Sequence, residues 1–175
     1  KRASNASTMA GAARTITVTS ASKTFNVAAL HCAVAHVGHD GLWEKISSLP
    51  MSYLGGPSAL SVAAHVTAWT ACEDWRSALL TQLRDRRDLL TTWASDHGVR
   101  LRSHRATYLA WLDFADTRIA EDPAARILDH AQVRVAAGPD YTNPTDIDAR
   151  TFVRLNFATS HAVLEDILDR ITHVL

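Results

Sequence analysis

Ser20-Ala21-Ser22-Lys23-Thr24-Phe25-Asn26 puts a lysine beside two hydroxyl residues, at the end of the β-branched run Arg14–Ser20 (RTITVTS). A primary amine at a strand end can project into a cleft, where loss of water lowers its pKa and frees it to attack a carbonyl. Hydroxyls and backbone N–H groups beside it suit a phosphate. A solvated loop lysine among turn serines has the same spacing, and spacing alone does not separate the two readings. Lysine is scarce here, however. Only Lys1, Lys23 and Lys45 are lysine among 18 basic side chains, and arginine cannot supply a deprotonated amine.

Arg154 stands in Thr151–Phe157 (TFVRLNF), the clearest strand in the sequence. Side chains alternate along a strand, so Val153, Leu155 and Phe157 form an apolar face and Phe152, Arg154 and Asn156 the opposite one. An arginine in so apolar a strand needs an anion. A planar guanidinium meets a carboxylate through two parallel hydrogen bonds. That carboxylate belongs either to a ligand or to an Asp or Glu of the protein.

Other chemistry is weaker. Gly55-Gly56-Pro57-Ser58 opens a helix whose free N–H groups attract anions, but it reads as well as a plain glycine turn with a serine cap. Of nine histidines, His31 and His36 are five residues apart and face opposite ways along a strand. His65 and Cys72 lie about 10 Å apart along a helix, too far to share one zinc ion. No metal site is expected. Cys32 and Cys72 cannot build a disulfide framework. Trp69, Trp75 and Trp93 have helical spacing and read as core or subunit packing.

The elements that must position Lys23 and Arg154 follow from periodicity. After the first strand comes a second, Cys32–Val37, then a short helix over Leu42–Leu49. Apolar residues recur at helical spacing from Ser58 to Asp96, with a bend or break at Cys72–Trp75, and His97-Gly98 stops the helix. Strands are expected at Val99–Arg102, Thr107–Asp113, Val133–Ala136 and Thr151–Phe157, and helices at Pro123–Ala131 and His161–Val174. Gly138–Ala149 reads as a loop. Two short strands and one helix cannot close a sheet, so the N-terminal portion reads as incomplete, with unpaired strand edges. The fold class is α/β followed by α+β, with no internal repeat.

The whole chain is 175 residues with 18 basic and 18 acidic side chains, which argues against an electrostatically driven nucleic-acid binder. No apolar run approaches the roughly 20 residues that span a bilayer. Lys1–Ala13 lacks the apolar stretch of a secretory signal, and the default reading is a cytoplasmic, thiol-reduced protein.

Residues 20–32 (SASKTFNVAALHC) resemble the lysine segment of fold-type-I pyridoxal-phosphate aminotransferases, most of all the MalY/PatB-type cystathionine β-lyase branch. The likeness continues, in order, through Thr107–Asp113 (TYLAWLD), Gly138-Pro139-Asp140-Tyr141 and Phe152–Ala158 (FVRLNFA). The resemblance implies pyridoxal 5′-phosphate held covalently by Lys23, which also moves the proton at the substrate Cα. It implies that Ser20, with Ser22 second to it, binds the cofactor phosphate, and that Arg154 binds the α-carboxylate of an amino-acid substrate. His31 stands where many aminotransferases carry a phosphate-binding arginine, and Ala29 replaces a frequent glycine. The implied organisation is the end of a large cofactor-binding domain over residues 1–57, a linking helical region over 58–98, and a small α+β domain over 99–175. The implied parent enzyme is homodimeric and cleaves L-cysteine thioethers to pyruvate, ammonia and a thiol. An aminotransferase is the alternative. Because family segments that precede the lysine are not in this sequence, a C-terminal part without activity of its own, or an interaction module, is a third expectation.

Overall fold

In the computed structural model, residues 14–102, 106–143 and 148–175 are described, and the chain forms two compact units, residues 1–78 and 79–175. The first unit holds β1 (Ile16–Thr19), a 3-10 turn (Ala28–Leu30), β2 (Val34–Val37), and helices α1 (Asp40–Ser47), α2 (Met51–Leu54) and α3 (Ala59–Ala71). Helix α4 (Glu73–Asp96) crosses the division between the units. The second unit continues with β3 (Arg100–Leu101), β4 (Leu109–Asp113), α5 (Pro123–Ala131), β5 (Ala136–Ala137), a 3-10 turn (Gly138–Tyr141), β6 (Phe152–Asn156) and α6 (His161–Thr172).

β1 and β2 are not orphans: they pair antiparallel with each other, Ile16 opposite Val37 and Thr19 opposite Val34. The expected apolar exposure is nevertheless present, with Ile16, Val18 and Val34 each about half exposed or more. The helical run from Ser58 breaks at Cys72, whose ψ of 34° takes the chain off helical geometry between α3 and α4. Ser58 caps α3 by accepting from the Ser61 N–H, so the glycine pair before it serves as an ordinary helix entry. Met51–Leu54, a single helical turn after Pro50, has no counterpart in the sequence reading.

In the second unit the sheet order is β3-β4-β6-β5, all neighbours antiparallel. One face is buried: Ala110, Leu112, Val153, Leu155 and Phe157 join Leu90, Trp93, Ile127, Leu164, Leu168 and Ile171 in a single core. Trp93 is in that core, its Nε1–H donating to Thr172 Oγ1 at 2.9 Å.

The strand expected over Val133–Ala136 is a correction, since only Ala136 and Ala137 join the ladder, opposite Arg154 and Val153. Gln132 ends α5 in the left-handed region at φ 56°, and Val133 is spent in the core rather than in the sheet. Gly138 follows, and its lack of a side chain is a spatial requirement. A Cβ there would overlap the Ala149 carbonyl oxygen and lie 2.8 Å from both Cβ and the carbonyl oxygen of Phe152. Gly138→Ala therefore destabilises the second unit by about 1–3 kcal/mol, the usual cost of overpacking. A thermal midpoint equal to that of the unsubstituted protein would contradict this.

Candidate functional site

Lys23 lies in one helical turn that follows β1. The Phe25 N–H donates to the Ala21 carbonyl at 3.0 Å, and the Val27 N–H reaches back to Ser22 at 3.0 Å. That second bond closes the turn across Asn26, whose φ is 54°. Asparagine tolerates this left-handed conformation better than other residues with a Cβ, which is the physical reason for Asn in Lys-Thr-Phe-Asn. Phe25 is anchored by stacking on Trp75, with ring centroids 5.4 Å apart. Trp75 thus packs within the first unit while remaining about half exposed. With the flanking residues fixed in this way, Lys23 presents an exposed amine.

Ser20 and Ser22 lie at the base of the turn. Ser20 Oγ donates to the Cys32 carbonyl at 2.7 Å, accepts from the Ser22 N–H at 3.1 Å, and is within hydrogen-bonding distance of Ser22 Oγ. The sequence reading missed a further partner, the buried His65 on α3, whose Nε2 is 3.3 Å from Ser20 Oγ. Nothing local in sequence signals a contact across 45 residues. His31 is exposed, in the left-handed region at φ 44°, as the cap of the 3-10 turn.

Arg154 sits in the second unit, on the open face of the sheet, where β4 sets Trp111 opposite it and β5 sets Ala136. Its guanidinium carbon lies 3.8 Å from the centre of the Tyr141 ring, and Nη2 donates to Tyr141 Oη at 2.7 Å. Trp111 meets Tyr141 edge-on at 5.9 Å and Phe152 at 6.4 Å. The result is a cation over the Tyr141 ring, itself part of an aromatic cluster with Trp111 and Phe152. Among the described residues no carboxylate lies within ion-pair distance of Arg154.

Its neighbours differ. Arg150 is paired with Asp148, which pushes the Asp148 carboxyl down to about 2. Arg100 is paired with Asp116 and holds that carboxyl below its usual range. Asp113, at the end of TYLAWLD, is buried and accepts from Thr151 Oγ1 at 2.6 Å and from the Ala115 N–H at 3.0 Å, which locks the start of β6 to the end of β4. Tyr141 is the second residue whose role sequence reading missed. The motif around it was visible, but its pairing with Arg154 depends on the close approach at Gly138.

Lys23, Ser20 and Ser22 are thus brought together in one unit, while Arg154 belongs to the other. The donor set of the turn fits pyridoxal phosphate: a primary amine for its aldehyde, and hydroxyls for its phosphate. No helix among the described residues is long and apolar enough to cross a membrane.

The chain is 33% identical over 163 residues to a cystathionine beta-lyase of Corynebacterium glutamicum, covering 91% of this chain and 42% of that protein. It is 30% identical over 164 residues to the cystathionine beta-lyase PatB of Bacillus subtilis, covering 91% and 41%. The structure superposes on the PLP-bound C-S lyase of Staphylococcus hominis with a TM-score of 0.80 at 25% identity, over 91% of this chain and 41% of that one. The chain therefore spans less than half the length of the relatives it matches. Its α/β fold is that of fold-type-I pyridoxal-phosphate enzymes. The model of the aminotransferase class I and II family matches residues 1–171, and the chain belongs to that family.

Proposed function

We propose that the protein carrying this chain is a pyridoxal-phosphate-dependent carbon–sulfur β-lyase acting on L-cysteine thioethers such as cystathionine. The observation that carries the reading is Arg154. It is a guanidinium pre-oriented on an aromatic face, with no carboxylate of the described protein to neutralise it, in a chain similar to cystathionine beta-lyases. The cofactor, when bound, would supply the carbonyl that captures the substrate amine and the ring that takes up the electron pair left at Cα. Lys23 would hold the cofactor covalently and would serve as the base that accepts the substrate Cα proton. Ser20, assisted by Ser22, gives its hydrogen to the phosphate by turning it away from the Cys32 carbonyl. Arg154 grips the α-carboxylate through two parallel hydrogen bonds, which keeps the breaking bond aligned. The thiolate leaves from Cβ, and the three-carbon remainder hydrolyses to pyruvate and ammonia. A homodimeric, cytoplasmic enzyme is part of the proposal, and so is the division into residues 1–57, 58–98 and 99–175.

The test is incubation of the full-length protein with cystathionine and the cofactor. Prompt release of pyruvate and thiol without an added keto acid is expected. Keto-acid formation that requires an acceptor would identify an aminotransferase. Absence of both, with the cofactor bound, would mean a non-catalytic protein. Tyr141→Phe keeps the aromatic face and removes the Oη acceptor. KM for the amino acid should rise by about threefold to tenfold while cofactor affinity stays constant, the scale of one ordinary intramolecular hydrogen bond. An unchanged KM would remove Tyr141 from the site.

A further inference from the structure

We infer that a groove on the helix side of the second unit binds a small phosphate monoester. The groove, of about 350 Å3, is lined by Arg118, Ile119, Arg126, His130, His173 and Val174. Arg118 stands in the turns after β4, Arg126 and His130 lie one helical turn apart on α5, and His173 and Val174 follow Thr172, the last residue of α6. All six belong to the second unit. Helices α5 and α6 cover the buried face of the sheet through Ile127, Leu164, Leu168 and Ile171. Arg154 stands on the open face, on the other side of the sheet, and the inference does not rest on its role.

The groove is unbalanced in charge, although the chain has 18 basic and 18 acidic side chains. Arg76, Arg87, Arg100, Arg150 and Arg170 each hold a carboxylate. Among the described residues no carboxylate lines the groove. Asp122, four residues before Arg126 and within reach along the helix, instead caps α5 by accepting from the Ala125 N–H. Arg126 is exposed, with no ion pair among the described residues.

Arg118 is oriented by the backbone. Its Nε donates to the Val174 carbonyl at 2.9 Å and its Nη2 to the His173 carbonyl at 3.1 Å, which leaves both Nη1 hydrogens and one on Nη2 to give. His173 donates its Nδ1–H to the Asp169 carbonyl at 2.7 Å, so Nε2 is the nitrogen left to accept. A phosphate monoester titrates at about pH 6, and its monoanion carries a hydroxyl to donate to Nε2 while the remaining oxygens accept from the arginines. Two guanidiniums and two imidazoles from three segments suit a tetrahedral group; a planar carboxylate needs only one guanidinium fork. Ile119 and Val174, both buried, supply apolar surface for the organic part of the ester.

The experiment is calorimetric titration, at matched ionic strength, of the full-length protein loaded with pyridoxal 5′-phosphate and freed of excess, so that a cofactor phosphate site is already filled. Phenyl phosphate, inorganic phosphate and malonate are the probes. Phenyl phosphate should bind saturably and most tightly, inorganic phosphate less so, and malonate least. Arg126→Gln should weaken phenyl phosphate by about fivefold, the upper end for one solvent-exposed charge pair. Arg134→Gln makes the same charge change at an exposed arginine outside the groove and should leave the affinity unaltered. Absence of saturable binding overturns the site, and so does an Arg126→Gln effect no larger than that of Arg134→Gln. Malonate bound as tightly as phenyl phosphate overturns the phosphate class. Inorganic phosphate bound as tightly as phenyl phosphate overturns the part given to Ile119 and Val174.

Discussion

On the proposed role of Lys23 as both anchor and Cα base, Lys23→Ala in the full-length protein should abolish the covalent attachment of the cofactor and lower turnover by at least about a hundredfold. Lys23 is the amine that the turn after β1 presents, exposed and flanked by the anchored Phe25 and the left-handed Asn26. Lys45, the other lysine among the described residues, lies in α1 outside that turn. The measurement is borohydride reduction followed by mass analysis of peptides. Cofactor mass on the peptide containing residue 23 is expected in the unsubstituted protein, and none anywhere in the variant. Cofactor fixed elsewhere in Lys23→Ala, with turnover retained, would displace Lys23 from its role.

The second large effect is at Arg154. Arg154→Ala should cost about 2–5 kcal/mol in kcat/KM for amino-acid substrates, as for other bidentate charge-assisted pairs, and leave cofactor affinity nearly unchanged. Truncation also removes the cation from the Tyr141 face, a smaller loss of about 0.5–1 kcal/mol that falls on stability rather than on substrate. Arg154→Lys separates these contributions. It keeps the charge but not the planar fork, so it should recover only part of the lost kcat/KM. Kinetics indistinguishable from the unsubstituted protein in Arg154→Ala would make the residue structural.

The positions of these residues on their elements could be read from sequence because those signals are local, whereas their roles came from the family resemblance. The face that carries Arg154 was legible from alternation: Val153, Leu155 and Phe157 are buried and Arg154 is on the other face. Helix α5 matches its expected bounds because both of its ends are written in the sequence. Asp122 accepts from the Ala125 N–H, Pro123 occupies the first turn, and Gln132 adopts the left-handed cap. What was not legible depends on partners distant in sequence. Val133 has the composition of a strand, yet its partner is the core rather than a ladder. His65 reads as any histidine on a helix until the fold brings α3 to Ser20. The mutual pairing of β1 and β2 was missed because nothing in either strand names its neighbour. Tyr141 needed both the Gly138 approach and the β5–β6 register before its ring could meet Arg154.

The sheet order β3-β4-β6-β5 also bears on how the chain is made. β6 follows the other described strands of this sheet along the chain, yet it lies in the middle, between β4 and β5. On the ribosome, β4 can pair only with the two residues of β3, and β5 has no partner, until Phe152–Asn156 has emerged. A nascent chain stalled before residue 152 therefore exposes a long apolar strand edge, Leu109–Asp113, of the kind that recruits chaperones or aggregates. The same strand carries Arg154, so the guanidinium that packs on Tyr141 and the closure of the sheet arrive in one step.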